Sequence, residues 1–276
     1  MKLAVTCTEM DVRKGAPIVF RGKLEDSFKK IKNIGYDGVE VHIHDSSAID
    51  RKELKALLNQ YGLELTSIGT GSAYGKEGLF ITSEDKQIRD RALEFLKQHI
   101  ITASEYHHAV VIIGLIKGKV SDCSSKAIYE RNLIESLNQC IEIAKKYNVV
   151  LGIEVLNRYE SDYLNTIDEG LELLDKINSE HLKLHIDTFH MNIEEANIGE
   201  AIRKAKDKIC HVHIADSDRW YAGHGHYNFI ETIEALHDIG YSHALAIESL
   251  NYPDANVSGE YSYNYLRGII YERIKK

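Results

Sequence analysis

The sequence is short of the residues that mark flexible or covalently braced architectures. It has two prolines in 276 residues and no proline-rich hinge or low-complexity segment, so we expect one domain over residues 1–276. Its four cysteines form no CxxC pair, which argues against a zinc knuckle or a dithiol redox motif. We interpret them as free buried thiols: Cys7, Cys123, Cys140 and Cys210.

Long apolar runs and an excess of positive charge are also missing. No run approaches the roughly 20 apolar residues that cross a bilayer. The opening residues MKLAVTCTEMDVRK lack the order of regions of a signal peptide, so we expect a cytoplasmic protein without a membrane segment. The formal net charge of -8 argues against nucleic acid as the main partner, because clustered lysine and arginine bind phosphate backbones. A small anion stays compatible, since one arginine is enough for a carboxylate.

The sequence does contain a regular alternation of short β-rich runs and longer amphipathic segments. Eight runs are typical of strands: KLAVTC, GVEVHI, LELTSI, AVVIIG, VVLGIEV, LKLHI, ICHVHIA and ALAIE. The segments between them repeat apolar residues every three or four positions, as helices with one buried face do. Three of these segments end at a glycine suited to a left-handed cap: Gly35, Gly62 and Gly240.

Eight β-α units in succession predict an α/β fold, a single-domain (β/α)8 TIM barrel. Strands that are apolar at nearly every position suit a parallel sheet covered by helices. The alternative is an open doubly wound sheet, which would usually carry a GxGxxG fingerprint after a strand, and none is present. The glycine-rich stretch at residues 69–78 does not match a Walker loop, and we expect a flexible loop over the barrel mouth.

Acidic and histidine residues stand near the carboxyl ends of the last four predicted strands: Glu154, Asp187, His213 and Glu248. In a barrel these ends meet at one face. Three carboxylates at one half-buried place would repel one another unless a cation neutralised them, so we predict a divalent metal site. Mostly oxygen ligands favour Mn²⁺, Mg²⁺ or Co²⁺ over zinc. We expect His211, on the same strand as His213, to face away and to be structural.

Polar residues beside these predicted ligands suggest contacts to a hydroxyl-rich substrate. They are Glu160 in NRYE, His190 in DTFH and Arg219 in DSDRW. Arg219 can fork onto a carboxylate or hold a hydroxyl. We expect Arg158 to form a surface ion pair with Glu160 and leave it outside the site.

Several motifs resemble a known family. EVLNRYE, NTIDEGLELLDKINS, DTFHMNIEE, HVHIADSDRW and AIES are similar to the ketose 3-epimerases of the xylose-isomerase-like barrel superfamily, which include D-tagatose and D-psicose 3-epimerases. IGTGSAYGKEGLFITS, VVIIGLIKGK and DSDRWYAGHGHYNF look more like the branch that contains 5-keto-L-gluconate epimerase. The resemblance covers almost the whole chain and is most specific from residue 150 onward.

The resemblance implies metal ligands at the same four residues and substrate contacts at Glu160, His190 and Arg219. It implies one divalent ion, with Mn²⁺ preferred to Mg²⁺, Co²⁺ or Zn²⁺, which chelates the C2 carbonyl and C3 hydroxyl of a ketose. One of Glu154 and Glu248 removes the C3 proton and the other returns a proton to the opposite face of a cis-enediolate. The substrate is expected to be a ketose or keto sugar acid such as 5-keto-L-gluconate or D-tagaturonate. The family also suggests a homodimer or homotetramer.

Two stretches, VEVHIHDSS and AGHGHYNF, depart from the epimerases of free ketoses and are expected to shape the far end of the pocket. His42 and His44 can contact a terminal carboxylate or hydroxyl, or serve in packing. Because of their loop setting, His224 and His226 are weaker candidates for metal ligands, as is Cys210.

Four alternative functions stay open. An aldose-ketose isomerase and a ketose-phosphate 3-epimerase belong to the same superfamily, and the second should show several basic residues at the barrel mouth, which the sequence alone does not identify. A zinc-dependent abasic-site endonuclease would need a basic groove and a larger cluster of histidines. A non-catalytic sugar-binding barrel would show no metal-dependent turnover.

Overall fold

A computed structural model describes residues 1–43, 50–70 and 72–274 of the protein. Its strands are β1 (Lys2–Thr8), β2 (Phe20–Arg21), β3 (Gly38–His42), β4 (Glu64–Gly69), β5 (Val110–Ile113), β6 (Val150–Glu154), β7 (Leu182–Asp187), β8 (Ile209–Ile214) and β9 (Ala244–Ile247). All pairings are parallel, and β1 pairs with both β3 and β9, which closes an eight-stranded barrel. The two-residue β2 lies along the carboxyl end of β1 beyond β9. The predicted (β/α)8 fold is confirmed.

Within the described residues, ten α-helices accompany these strands. They are α1 (Leu24–Ile34), α2 (Arg51–Tyr61), α3 (Ser72–Glu77), α4 (Lys86–Ala103), α5 (Lys126–Tyr147), α6 (Ile167–Ile177), α7 (Thr188–Glu194), α8 (Ile198–Ala205), α9 (Phe229–Asp238) and α10 (Ala255–Ile274). Seven of them coincide with the predicted amphipathic segments. Gly35 and Gly62 follow α1 and α2 at φ 115° and 58°, the left-handed conformation expected of them, and turn the chain towards the next strand.

The barrel interior changes character along its axis. Near the amino ends of the strands, Ala4, Ala244 and Ala246 form a small buried cluster separate from the main core. Towards the carboxyl ends, buried carboxylates and imidazoles replace them, among them Glu40 and His185. The outer faces of the strands and the inner faces of the helices form the main hydrophobic core.

The glycine-rich stretch differs from the expectation. The stretch at 69–78 is not simply a loop, because Ser72–Glu77 form α3, with Gly71 outside the described residues. The tyrosine-rich residues near the carboxyl end of the sequence form α10. This helix buries Leu266 and Ile270 against the barrel and leaves several tyrosines exposed. Across the part of the chain that the structure describes, no helix has the length and apolar character needed to span a bilayer.

Candidate active site

The four predicted metal ligands lie together at the carboxyl face of the barrel. Glu154 ends β6, Asp187 ends β7, His213 is next to the end of β8, and Glu248 follows β9. Their exposed fractions lie between 0 and 8%. Ligand atoms of Glu154, Asp187 and His213 lie within 4.8 Å of one another, and Oε2 of Glu248 is 3.5 Å from Nδ1 of His213. We call these four residues the carboxylate cluster.

The members of the carboxylate cluster perturb one another's acidity. Burial, followed by the charge of Glu248, raises the pKa of Glu154 to about 8 and that of Asp187 to about 6. Burial, the largest single cause, would also raise the pKa of Glu248, but the charge and hydrogen bond of His213 together with the charge of Arg219 lower it. Burial opposes a charge on His213, yet the carboxylates of Glu40 and Glu248 raise its pKa well above the usual value. Without a cation, the cluster therefore retains protons to limit its negative charge.

Glu40, in the middle of β3, is the main site residue that the sequence analysis missed. It is completely buried, and its Oε2 accepts hydrogen bonds from Ser67 Oγ at 2.5 Å, His211 Nε2 at 2.9 Å and His213 Nε2 at 2.8 Å. Because Glu40 holds the Nε2–H of His213, the proton that a cation would displace from this ring is the one on Nδ1, whose lone pair could then bind the ion. The sequence feature that could have identified Glu40 is a carboxylate inside the apolar run GVEVHI, because a buried carboxylate requires partners.

The expectation that His211 faces away from His213 is wrong. Residues two apart on a strand project to the same side. Both imidazoles enter the barrel interior, where both contact Glu40.

His190, near the start of α7, presents one nitrogen to the carboxylate cluster. Asn157 donates from Nδ2 to Nδ1 of His190 at 2.6 Å, and two backbone amides that bond the Asn157 oxygen fix the orientation of this amide. The proton of His190 therefore resides on Nε2, which lies 3.8 Å from Oε1 of Glu154. Burial and the charge of Arg219 lower the pKa of His190 well below its usual value, so the ring is a neutral donor.

Arg219 and Glu160 also reach the site. Nη1 of Arg219 lies 2.6 Å from Oε1 of Glu160, and Nη2 lies 3.5 Å from Oε2 of Glu248. The expected surface pair between Arg158 and Glu160 is wrong, because Arg158 forms a two-pronged pair with Glu194 at 2.9 and 2.7 Å. Glu160 is thereby free to orient Arg219.

The turn after β5 supports Glu154 from the other side. A side chain at Gly114 would overlap Oε2 of Glu154, so glycine leaves room for this carboxylate. Lys117, on the same turn, is completely buried and was also missed by the sequence analysis. Burial lowers its pKa to about 8, although the carboxylates of Glu154 and Glu160 oppose this.

A cavity of about 870 Å³ opens onto the cluster. Glu154, Glu160, His190, Arg219 and Glu248 line it. Three exposed or partly exposed cations and one exposed carboxylate, Asp11, also line this cavity; we call the three cations the basic rim: Arg13, Lys76 and Lys119.

Of the weaker candidates for metal or substrate contacts, one lies at the cavity and the others that the structure describes lie outside the carboxylate cluster. His42 lines the cavity with Nε2 at 2.9 Å from Oε1 of Glu40, whereas His44 lies outside the described residues. His224 and His226 are exposed and bonded to loop residues rather than joined to the cluster. Cys210 bonds a backbone carbonyl of β7 within the barrel wall. All four cysteines are free thiols, but Cys123 is partly exposed rather than buried.

Comparison with known proteins shows similarity over most of the chain. The family model described as "Xylose isomerase-like TIM barrel" matches residues 28–267. A D-psicose 3-epimerase from Enterocloster bolteae is 33% identical over 234 residues, which cover 79% of this chain and 74% of that protein. An L-ribulose 3-epimerase from Mesorhizobium japonicum is 32% identical, covering 84% and 77% respectively. A solved structure of an L-ribulose 3-epimerase has a TM-score of 0.83 at 26% identity, over 98% of this chain and 95% of the other.

Proposed function

Since this chain belongs to the xylose isomerase-like TIM barrel family and is a sugar epimerase of its ketose 3-epimerase group, we propose that it inverts C3 of a ketose or keto sugar acid with one divalent metal ion. The observation that carries the proposal is the convergence of Glu154, Asp187, His213 and Glu248 beside one cavity, which Glu154 and Glu248 line.

The donor atoms of the carboxylate cluster fit a divalent cation. Oδ2 of Asp187 and Nδ1 of His213 are buried and have no hydrogen-bond partner among the described residues. Buried polar atoms normally have partners, so two orphaned atoms facing the same carboxylates support an ion between them. Three carboxylates and one imidazole favour Mn²⁺, with Mg²⁺, Co²⁺ and Zn²⁺ as alternatives. Such an ion, when bound, polarises the C2 carbonyl and the C3 hydroxyl of the substrate.

Glu154 and Glu248 are proposed to transfer the protons. They lie on β6 and β9, on different sides of the barrel, and both line the cavity. A substrate held between them would lose its C3 proton to one carboxylate, which leaves a planar cis-enediolate, and the other carboxyl group would return a proton to C3 on the opposite face. The hand of C3 in the substrate decides which glutamate is the base.

Three further residues are proposed to hold the substrate. His190 offers a neutral Nε2–H beside Glu154, suited to a carbonyl or hydroxyl oxygen. Arg219, held by Glu160, supplies guanidinium donors on the side of Glu248. Donors fixed before substrate arrives stabilise the negative charge of an enediolate without further rearrangement.

The basic rim supports an anionic substrate. Three cations around one cavity attract an anion, whereas a neutral ketose offers them no charge. We therefore propose a keto sugar acid, with 5-keto-L-gluconate and D-tagaturonate as the first substrates to test. A ketose phosphate is the second candidate, because the same cations would bind a phosphate group.

The test of the reaction is isotope exchange. Metal-free and Mn²⁺-loaded protein are incubated in D₂O with keto sugar acids, free ketoses and ketose phosphates, and the sugars are analysed by proton NMR after the ion is chelated. We expect Mn²⁺-dependent loss of the C3 proton signal together with the C3 epimer. E154Q and E248Q, which keep side-chain size, should each abolish epimer formation. Exchange at C1 with aldose formation would instead establish an isomerase, and no exchange in any sugar would contradict the proposal.

The test of the substrate class uses the rim. We expect the double variant R13A/K119A to raise KM for the keto sugar acid at least tenfold, with little change for a neutral ketose. K145A, an exposed lysine on α5, is the matched control. An equal effect on acidic and neutral sugars would contradict a role of the rim in charge recognition.

Location and assembly stay proposals as well. We propose that the protein is cytoplasmic. We also propose that it forms a homodimer or homotetramer, because α10 has large exposed aromatic side chains: Tyr261, Tyr265 and Tyr271. Light scattering coupled to gel filtration would report the assembly, and a monomer at micromolar concentration would contradict it.

A further inference from the structure

A second set of imidazoles projects into the barrel beneath the carboxylate cluster. Strands β7 and β8 pair in the register His185 with His211 and Asp187 with His213. The two strands thus contribute two layers of side chains to the barrel interior. The deeper layer, His185 and His211, consists only of imidazoles. His185, His211 and His213 can offer nitrogens within 4.8 Å of one another. We call these three residues the inner imidazole group.

Nδ1 of His185 lies 3.9 Å from Oε1 of Glu154, which is too far for a hydrogen bond, and no other polar role of His185 is established. It is completely buried, and neither ring nitrogen has a hydrogen-bond partner among the described residues. A neutral imidazole carries one N–H donor and one acceptor nitrogen, and burying either without a partner is destabilising. The proposed epimerase reaction does not use this residue. A fully buried side chain with two unpaired nitrogens therefore indicates that a bound partner for these nitrogens lies nearby.

The surroundings leave space for His185 and orient its neighbours. A Cβ at Gly152 of β6 would lie 3.2 Å from the Cβ of His185, closer than ordinary contact, so glycine at this position makes room. The ring of His185 is 4.1 Å from that of His213 and 5.2 Å from that of His211, measured between centroids. Glu40 holds Nε2 of both partners, as carboxylates do for metal-binding histidines.

We propose that the inner imidazole group is a second cation site, specific for a borderline-soft divalent ion such as Zn²⁺. Three imidazoles without a carboxylate ligand match the tetrahedral nitrogen-rich sites that zinc prefers, whereas Mn²⁺ and Mg²⁺ prefer the oxygen-rich carboxylate cluster. His213 belongs to both groups, and Nδ1 is its one nitrogen without a hydrogen-bond partner among the described residues, so occupancy of one site excludes normal occupancy of the other. Zinc at the inner site therefore acts as an inhibitor. This consequence, but not the binding itself, rests on the proposed function of the carboxylate cluster.

The decisive experiment compares ion affinities without any substrate. Metal-free wild type, H185N and E248Q are titrated with Zn²⁺ against a chromophoric chelator and with Mn²⁺ by electron paramagnetic resonance. We expect H185N to weaken Zn²⁺ binding at least tenfold and Mn²⁺ binding less than about threefold, and E248Q to show the reverse preference. H181N, a histidine outside the barrel interior that bonds a backbone carbonyl, is the matched control. Equal losses for both ions in H185N, or no loss of Zn²⁺ binding, would overturn the proposal.

A measurement on the unaltered protein covers the case in which H185N does not fold. X-ray absorption of the Zn²⁺-loaded wild type counts the imidazoles around the ion. Three imidazoles at about 2.0 Å support the inner site, whereas one imidazole with oxygen ligands overturns it. Because neither experiment involves turnover, the inner site can stand even if no sugar is epimerised.

Discussion

Replacing Glu154 with glutamine should remove a pH-dependent instability that the carboxylate cluster imposes on the metal-free protein. Burial and the charge of Glu248 raise the pKa of Glu154 from 4.5 to about 8. Between these pH values the folded protein holds a proton that the unfolded chain has released. The contribution of this proton to the free energy of unfolding is therefore fully present below pH 4.5 and is lost as pH rises through 8. At about 1.4 kcal/mol per pH unit, this interval corresponds to at most about 5 kcal/mol.

The assay is urea unfolding in EDTA at pH 5 and pH 8. We expect the free energy of unfolding of wild type to fall between these values by about 2–4 kcal/mol more than that of E154Q. The lower figure allows for sharing of the proton with Asp187 and Glu248, which interact with Glu154. Glutamine has nearly the same shape and stays neutral throughout, so it isolates the charge. E142Q, whose side chain is 72% exposed on α5, should behave like wild type.

Saturating Mn²⁺ should reverse this pattern in the wild type. A bound dication favours the ionised carboxylate, so the gain in unfolding free energy on adding Mn²⁺ should increase with pH. The gain should be smaller in E154Q at pH 8. Equal pH dependence of wild type and E154Q in EDTA would refute the reasoning, because Glu154 would then not share a buried charge cluster.

Three more predictions concern the same site. Mn²⁺ binding at pH 7 should release protons, because Glu154 is protonated in the metal-free protein; calorimetry in buffers of different ionisation enthalpy measures their number. G114A should lower kcat about 100-fold, because the new methyl group displaces the Glu154 carboxylate by about 1 Å, whereas G268A on the exposed side of α10 should not change kcat. N157A should lower kcat about tenfold without a matching loss of melting temperature, because His190 can then adopt the other tautomer; unchanged kcat would contradict the positioning role.

Much of the barrel could be predicted because each predicted element has one dominant environment. Strands covered on both faces are apolar throughout, and helices with one buried face repeat apolar residues at three and four positions. Helices that the apolar periodicity did not predict form for other reasons, and α7 is an example. α7 begins directly after β7, where Asp187 accepts a hydrogen bond from the backbone N–H of Phe189 at 2.7 Å and so caps the helix. A pattern search cannot separate that capping role from the predicted metal-binding role of the same residue.

The limits of the site prediction have a different origin. Residues at the ends of successive parallel strands could be placed together because the fold itself brings those ends to one face. Glu40 could not, because its importance comes from His213, which is 173 residues away in the chain and across the barrel. Lys117, Arg13 and Lys119 lie in turns and loops, and Lys76 lies in the short helix α3; no periodicity specifies the relative positions of these segments. The wrong side assigned to His211 was an error in applying strand alternation, not a gap in the sequence signal.

The position of Glu40 also explains why a histidine is found among the three carboxylates of the cluster. A carboxylate beneath the ring holds the Nε2–H and increases the basicity of Nδ1, so Nδ1 is oriented towards Glu248 as a ligand for an ion. The arrangement increases the negative charge of the interior, because Glu40 is added to Glu154, Asp187 and Glu248 while Lys117 and Arg219 supply the nearby positive charges. The proposed dication would remove most of this excess and release the protons that otherwise limit it. The same interior that destabilises the metal-free barrel therefore provides the driving force for binding an ion where the substrate cavity begins.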